Sequence, residues 1–224
     1  VTQTAGNKQG KDAFFMQRCL DLAKAGLGYV APNPMVGSVI VHNEQIIGEG
    51  YHQLCGQAHA EPNAIDSVKD KSLLREATLY VNLEPCSHMG KTPACSKLII
   101  AAGIKRVVIG TTDTNELVKG KGIAELRQSG CQVDTAVLEK ESRFLNRRFF
   151  TFHEKKRPYI ILKWAQTLDG FIDILPRASD ILQPTWITSE KLRMLVHKWR
   201  SEEPAIMVGT HTAAKDNPRL NVRD

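Results

Sequence analysis

The stretch Thr78-Leu-Tyr-Val-Asn-Leu-Glu-Pro-Cys86 decides how the chain is read. Its first six residues have the length and composition of a short buried strand, and a glutamate, a proline and a cysteine follow directly. In an α/β sheet the carboxyl end of a strand is where ligand-binding groups collect, so Cys86 falls at a chemically favoured place. Upstream, Phe14, Phe15, Cys19, Leu22 and Ala23 recur at helical spacing between Asp12 and Ala25, and Gly26 and Gly28 stop the pattern. Pro32 and Pro34 stiffen the loop around Asn33. Val36 to Val41 and Gln45 to Gly50 then read as a hairpin turned at His42-Asn-Glu44. A helix over Ala58 to Val68 precedes the Thr78–Leu83 strand. Downstream come a helix over Pro93 to Ala102, a strand over Lys105 to Gly110, a helix over Gly122 to Ser129, a strand over Cys131 to Val137 and a last helix from Leu138 to about Phe150. After the hairpin, strands and helices alternate over short links, which predicts an α/β layer with a mainly parallel sheet covered on both faces.

Thr151 to Pro158 is charged and ends in proline, as a domain boundary would. Beyond it the pattern gives a strand from Tyr159 to Ala165, a helix near Ser189 to Arg200 and a strand at Ala205 to Val208. Polar Val1 to Gly10 has no apolar core of a secretory signal and reads as part of a disordered lead-in over residues 1–11. No run approaches the ~18 apolar residues of a membrane span. The chain has 224 residues, 42% of them hydrophobic and 24% charged, which excludes disorder, collagen and coiled coil as whole-chain descriptions. Its net charge of +6 comes partly from Arg143, Arg147, Arg148 and Lys155-Lys-Arg157; such runs are more often solvated faces than nucleic-acid sites, although they suit an anionic substrate. Five cysteines without a signal sequence point to reduced thiols in the cytoplasm, so clustered cysteines are first asked about metal.

Two segments answer that question: His59-Ala-Glu61, and Glu84-Pro-Cys86 with Cys95. One imidazole and two thiolates form a good zinc shell. Three protein ligands leave a fourth position for water, whose pKa zinc lowers toward ~7. Glu61, in the first turn after His59, is placed to shuttle a proton from nucleophile to leaving amine. This is the zinc-deaminase pattern, H-x-E followed by P-C-x-x-C, except that eight residues rather than two separate Cys86 from Cys95. Those eight must loop out and return Cys95 to the start of a helix. A zinc-stabilised interaction module is the non-enzymatic alternative, and it fits less well because structural zinc sites normally take four protein ligands.

The long cysteine spacing in Glu84-Pro-Cys-Ser-His-Met-Gly-Lys-Thr-Pro-Ala-Cys95 resembles the bifunctional riboflavin-biosynthesis deaminase/reductase family. So do Pro32-Asn-Pro-Met-Val-Gly37, Gly48-Glu-Gly-Tyr-His52, Ala58-His-Ala-Glu61 and Asp113-Thr-Asn-Glu-Leu-Val-Lys-Gly-Lys-Gly122. The resemblance implies a cytidine-deaminase-like three-layer α/β/α sandwich with a mixed sheet over residues 12–154. It also implies hydrolytic deamination of a diaminopyrimidinone ribosylamine 5′-phosphate. His59, Cys86 and Cys95 would hold Zn²⁺ and Glu61 would carry the proton. Asn33, His52, His88, Lys91, Asp113 and Asn115 would line the substrate pocket. A homo-oligomer in the cytoplasm, with no nucleic acid and no membrane partner, goes with the family. The enzymatic alternative is a zinc deaminase of another nucleobase, nucleoside or nucleic acid.

From residue 158 the likeness continues. Lys163-Trp-Ala-Gln-Thr-Leu-Asp-Gly170 and Val208 to Arg223 resemble the opening of the family's dihydrofolate-reductase-like domain. By position, Ala165, Trp186, Thr212 and Asp216 would meet NADPH, while Arg200, Leu220 and Arg223 would meet the substrate. Pro184 stands at a further substrate position where the family usually has a small hydroxyl residue. No glycine-rich loop able to cradle a diphosphate occurs in residues 158–224, and the segment is short for a complete domain, so only the first part of a reductase is expected here.

Overall fold

The computed structural model describes residues 2–88, 93–116, 118–172 and 186–223. The chain divides into two compact units, Val1–Tyr159 and Ile160–Asp224.

In the first unit α1 (Thr2–Lys24) is followed by the hairpin β1 (Gly37–His42) and β2 (Gln45–Tyr51), then α2 (Ala60–Ser67) and a 3₁₀ turn (Lys71–Arg75). Next come β3 (Thr78–Leu83), α3 (Cys95–Ala101), β4 (Arg106–Thr111), α4 (Lys121–Gln128), β5 (Gln132–Asp134), α5 (Glu139–Leu145) and α6 (Arg147–Lys155). The strands lie in the order β2-β1-β3-β4-β5. β1 pairs antiparallel with both β2 and β3, while β3–β4 and β4–β5 are parallel, so the sheet is evenly mixed rather than mainly parallel. The reason is the hairpin: β1 enters the sheet interior and its reversed direction is imposed on two ladders.

Alternation along the strands sends one set of side chains to each face. Leu79 and Val81 with Val107, Ile109 and Ile40 pack under α2, α3 and α4 beside Ala64, Val68, Ile99, Ile123 and Leu126. Tyr80, Val108, Val39 and Val41 point the other way and meet Phe15, Met16 and Cys19 of α1. Of the α1 residues read as a core stripe, Phe14 is 69% exposed and Phe15 takes the inward place.

Three elements differ from the sequence reading. α1 begins at Thr2, inside the segment read as a lead-in. β5 is confined to Gln132–Asp134, and the last helix is broken into α5 and α6 at Asn146. The side chain of buried Asn146 accepts from the Met35 amide (2.7 Å) and donates to the Met35 carbonyl (2.8 Å). That long-range clamp fixes the break.

The second unit contains α7 (Glu190–Glu202) and α8 (Thr210–Asp216). Among its described residues there is no strand. The segments 159–165 and 205–208 expected as strands carry no ladder. A strand is stabilised by its partner, and none pairs with them here. No helix among the described residues is long and apolar enough to cross a membrane.

Candidate metal and active site

The site gathers at the carboxyl ends of β3 and β4 and at the starts of α2 and α3. His59 is the N-cap of α2, with extended backbone (φ −74°, ψ 177°), and Glu61 lies in the helix's first turn. Close packing sets α2 in place. A Cβ on Gly50 would stand 2.3 Å from the Ala64 nitrogen, and Asn63 donates to the Tyr51 carbonyl at 2.9 Å. β3 delivers Cys86, and α3 opens on Cys95 one residue after its N-cap, Ala94. The returning chain is tied down by Ser96, whose backbone N–H and Oγ both donate to the Cys86 carbonyl (3.1 Å each).

The His59 Nδ1, Cys86 Sγ and Cys95 Sγ atoms all lie within 4.8 Å of one another. Nδ1 is 3.6 Å from Cys86 Sγ and 3.3 Å from Cys95 Sγ. Tetrahedral zinc, with bonds of ~2.05 Å to nitrogen and ~2.3 Å to sulfur, would hold such a pair ~3.6 Å apart. Donor chemistry and spacing therefore fit the ion. The hydrogen bond from Cys95, then that from His59, hold the Cys86 thiol below the usual thiol range. Glu61 is buried, and burial, reinforced by the charge of Cys86, pushes its carboxyl up. Its carboxyl acts electrostatically on His59 and Cys95, which places it beside the candidate metal ligands.

The structure also brings Asn33, His52, Asp113 and Asn115 to this end of the sheet. Asn33 Nδ2 lies 3.1 Å from His52 Nε2, and His52 Nδ1 lies 2.9 Å from the Ala58 carbonyl. A carbonyl only accepts, so Nδ1 carries the proton and Nε2 accepts from Asn33. Burial, aided by the nearby His59, lowers the His52 pKa and keeps the ring neutral. The two imidazoles meet edge to face at 5.4 Å. Asp113 is buried, and burial raises its pKa while its carboxylate accepts from the Asn115 amide at 2.7 Å. Exposed His88 and His153 of α6 act electrostatically on Asp113. Lys91 lies outside the described residues.

Sequence reasoning gave no role to the groups that hold these side chains. Asn82 accepts from the Gly37 amide (2.8 Å) and donates to the Met35 carbonyl (3.1 Å), so with Asn146 it pins the loop carrying Asn33. A polar residue inside the otherwise apolar run of β3 is the signal that could have found it. Glu84 is buried beside the motif, and its carboxylate accepts three backbone N–H bonds.

A hollow of about 610 Å³ opens at the opposite ends of β3 and β4, lined by Asp12, Thr78, Tyr80 and Arg106 among others. Arg106 there is already ion-paired with Asp12 (2.7 Å) and Asp134 (2.6 Å). The reactive groups lie at the metal cluster, not in this hollow.

In the second unit Arg200 Nη1 donates to the Asn221 carbonyl (3.4 Å) and the Arg223 amide to His197 Nδ1 (3.1 Å), which draws Arg200 toward the segment of Leu220 and Arg223. Trp186 lies under the Arg193 guanidinium at 4.1 Å. Trp186, Thr212 and Asp216 are exposed and Ala165 half-buried, and among the described residues no enclosed cofactor cradle joins them. Pro184 lies outside the described residues.

The family described as the cytidine and deoxycytidylate deaminase zinc-binding region matches residues 9–111, and the RibD C-terminal domain family matches residues 158–224. The chain is 48% identical to the riboflavin biosynthesis protein RibD of Aquifex aeolicus over 212 residues, covering 95% of this chain and 58% of the relative. For RibD of Escherichia coli the identity is 40% over 213 residues, covering 95% and 56%. A solved diaminohydroxyphosphoribosylaminopyrimidine deaminase/5-amino-6-(5-phosphoribosylamino)uracil reductase of Thermotoga maritima superposes with a TM-score of 0.87 at 47% identity, covering 96% of this chain and 60% of that one. Acinetobacter baumannii RibD also gives 0.87, at 39% identity, covering 96% and 59%. The chain thus spans a little over half the length of these relatives.

Proposed function

From these similarities we propose that the chain is part of a RibD-type riboflavin biosynthesis protein, and that its first unit is a zinc-dependent deaminase of a diaminohydroxyphosphoribosylaminopyrimidine. The observation that carries the reading is the triangle of His59, Cys86 and Cys95 with Glu61 against it. In this reading those three residues hold zinc, which when bound supplies a Lewis acid that makes water nucleophilic at neutral pH. Glu61 takes one proton of the attacking water and passes it to the ring nitrogen, then takes the remaining hydroxyl proton as the new carbonyl forms and hands it to the amine, which leaves as ammonia. Burial suits Glu61 to both tasks, because a carboxyl with a raised pKa gives and takes a proton near neutrality more evenly. Asn33, with one amide hydrogen given to His52, reads the donor and acceptor edge of the pyrimidine. In this reading Asp113, Asn115 and His88 form the remaining wall on the ribosyl phosphate side, and Lys91 is the cation for the phosphate.

The second unit's part in the proposal is limited to contacts. In a chain carrying a whole reductase domain, Ala165, Trp186, Thr212 and Asp216 would face NADPH, with Arg200, Leu220, Arg223 and position 184 toward the sugar phosphate. The exposure of Trp186, Thr212 and Asp216 here does not fit a closed cofactor site.

The test is ammonia release from the aminopyrimidine phosphate by the purified, zinc-loaded chain. Glu61→Gln should keep about one zinc per chain while turnover falls at least ~10²-fold. Near wild-type turnover in that variant would remove Glu61 from the chemistry.

A further inference from the structure

Glu84 is the motif residue for which the proposed deamination has no use, yet it is one of the most completely satisfied side chains near the site. It is 4% exposed. Its Oε2 accepts from the backbone N–H of Asp113 (3.1 Å) and of Gly120 (3.0 Å), and its Oε1 accepts from the N–H of Ile123 (3.2 Å). One oxygen therefore closes both ends of the segment 113–120, and the other caps the first turn of α4. Inside that segment Asp113 accepts from the Asn115 amide, and the Asn115 carbonyl accepts from Val118 and Lys119 (2.8 Å each). The same backbone contact reaches the metal strand: a Cβ on Gly122 would stand 2.0 Å from the Pro85 carbonyl oxygen. A buried carboxylate is strongly unfavourable unless hydrogen-bond donors meet it, and three N–H groups are partners of that kind. The charge is thus held where it can fix backbone rather than react.

Resting on the deaminase reading above, we infer that Glu84 is a positioning residue for substrate binding. It locks the loop bearing Asp113 and Asn115 to the strand that delivers Cys86, so the pocket wall and the metal ligand keep one spacing. Its side chain is turned toward the loop amides, so the effect falls on substrate affinity more than on the chemical step.

The experiment compares wild type, isosteric Glu84→Gln and Glu84→Ala for zinc per chain, KM and kcat of ammonia release, and amide hydrogen exchange across residues 113–123. Glutamine offers one carbonyl oxygen and sets an NH₂ against the remaining N–H donors. It should keep zinc at the wild-type ratio, raise KM by about tenfold or more, change kcat by less than about threefold, and speed exchange at Asp113, Gly120 and Ile123 together. Alanine should show the same split, larger. A wild-type KM in Glu84→Gln overturns the inference, and so does joint loss of zinc and kcat with KM unmoved, which would place Glu84 in the metal centre. If the wild type releases no ammonia, the deaminase reading itself fails, and exchange at 113–123 still decides whether Glu84 pins the loop. Wild-type exchange alone is decisive should both variants fail to fold: Asp113 and Gly120 amides that exchange as fast as an open loop overturn the pinning.

Discussion

In the proposed deaminase single side chains would carry the reaction, and their neighbours set how they behave. Cys86→Ser or Cys95→Ser should abolish stoichiometric zinc, because a hydroxyl is a poor substitute for a thiolate in a three-ligand site; metal analysis after dialysis checks this, and retained zinc would mean other ligands hold it. Far from the site, Arg106 lies between Asp12 and Asp134, and Tyr80 donates to Asp12 at 2.8 Å. Arg106→Met leaves the Asp12 carboxylate buried without its partner. It should cost ~3–5 kcal/mol in urea unfolding, and a loss under ~1 kcal/mol would show that water replaces the arginine. Burial alone would raise Asp134, but the hydrogen bonds and charge of Arg106 outweigh it and hold this carboxyl below the usual range. A depressed folded pKa adds stability above the unfolded value of ~3.9 and loses it as pH falls through the folded one. The midpoint of unfolding should therefore drop more steeply below pH ~4 in wild type than in Asp134→Asn, and parallel curves would deny Asp134 that role.

Elements are placed by contacts too close to admit a side chain. The start of α4 lies on the Pro85 carbonyl only because residue 122 is glycine, since an added Cβ would meet that oxygen at 2.0 Å. Gly122→Ala must push α4 and the loop 113–120 away from β3. Loss of stability together with a raised KM is expected, measured by urea unfolding and steady-state ammonia release; an alanine variant with wild-type values in both would show that the contact relaxes freely. Much of this level was readable in advance. The hairpin, β3, β4, α2 and α3 follow from period, length and punctuation by glycine and proline. The break at Asn146 was not, because the Met35 backbone that holds it lies 111 positions away and leaves no trace in local spacing.

On the scale of the whole chain, the three buried clusters of the sheet and its helices lie within the first unit, so a chain ending at Tyr159 should fold and release ammonia by itself. A truncated protein that is unfolded by circular dichroism would refute that independence. Zinc held by residues 59, 86 and 95 would bind only their folded arrangement, and so should stabilise it. Chelation should lower the melting temperature by several degrees, and an unchanged value would mean the metal adds nothing to the fold. Residue type and spacing alone singled out His59, Cys86 and Cys95 as a cluster, the glutamate beside it and the alternating α/β order, because ligand chemistry and helix or strand period are local properties of the sequence. Tertiary structure decided which way the strands pair and which loops bring Asn33, Asp113 and Asn115 to the end of the sheet where His59, Cys86 and Cys95 meet. It also decided that Glu84, Asn82 and Asn146 work as staples, since each depends on backbone groups brought near only when the sheet has formed.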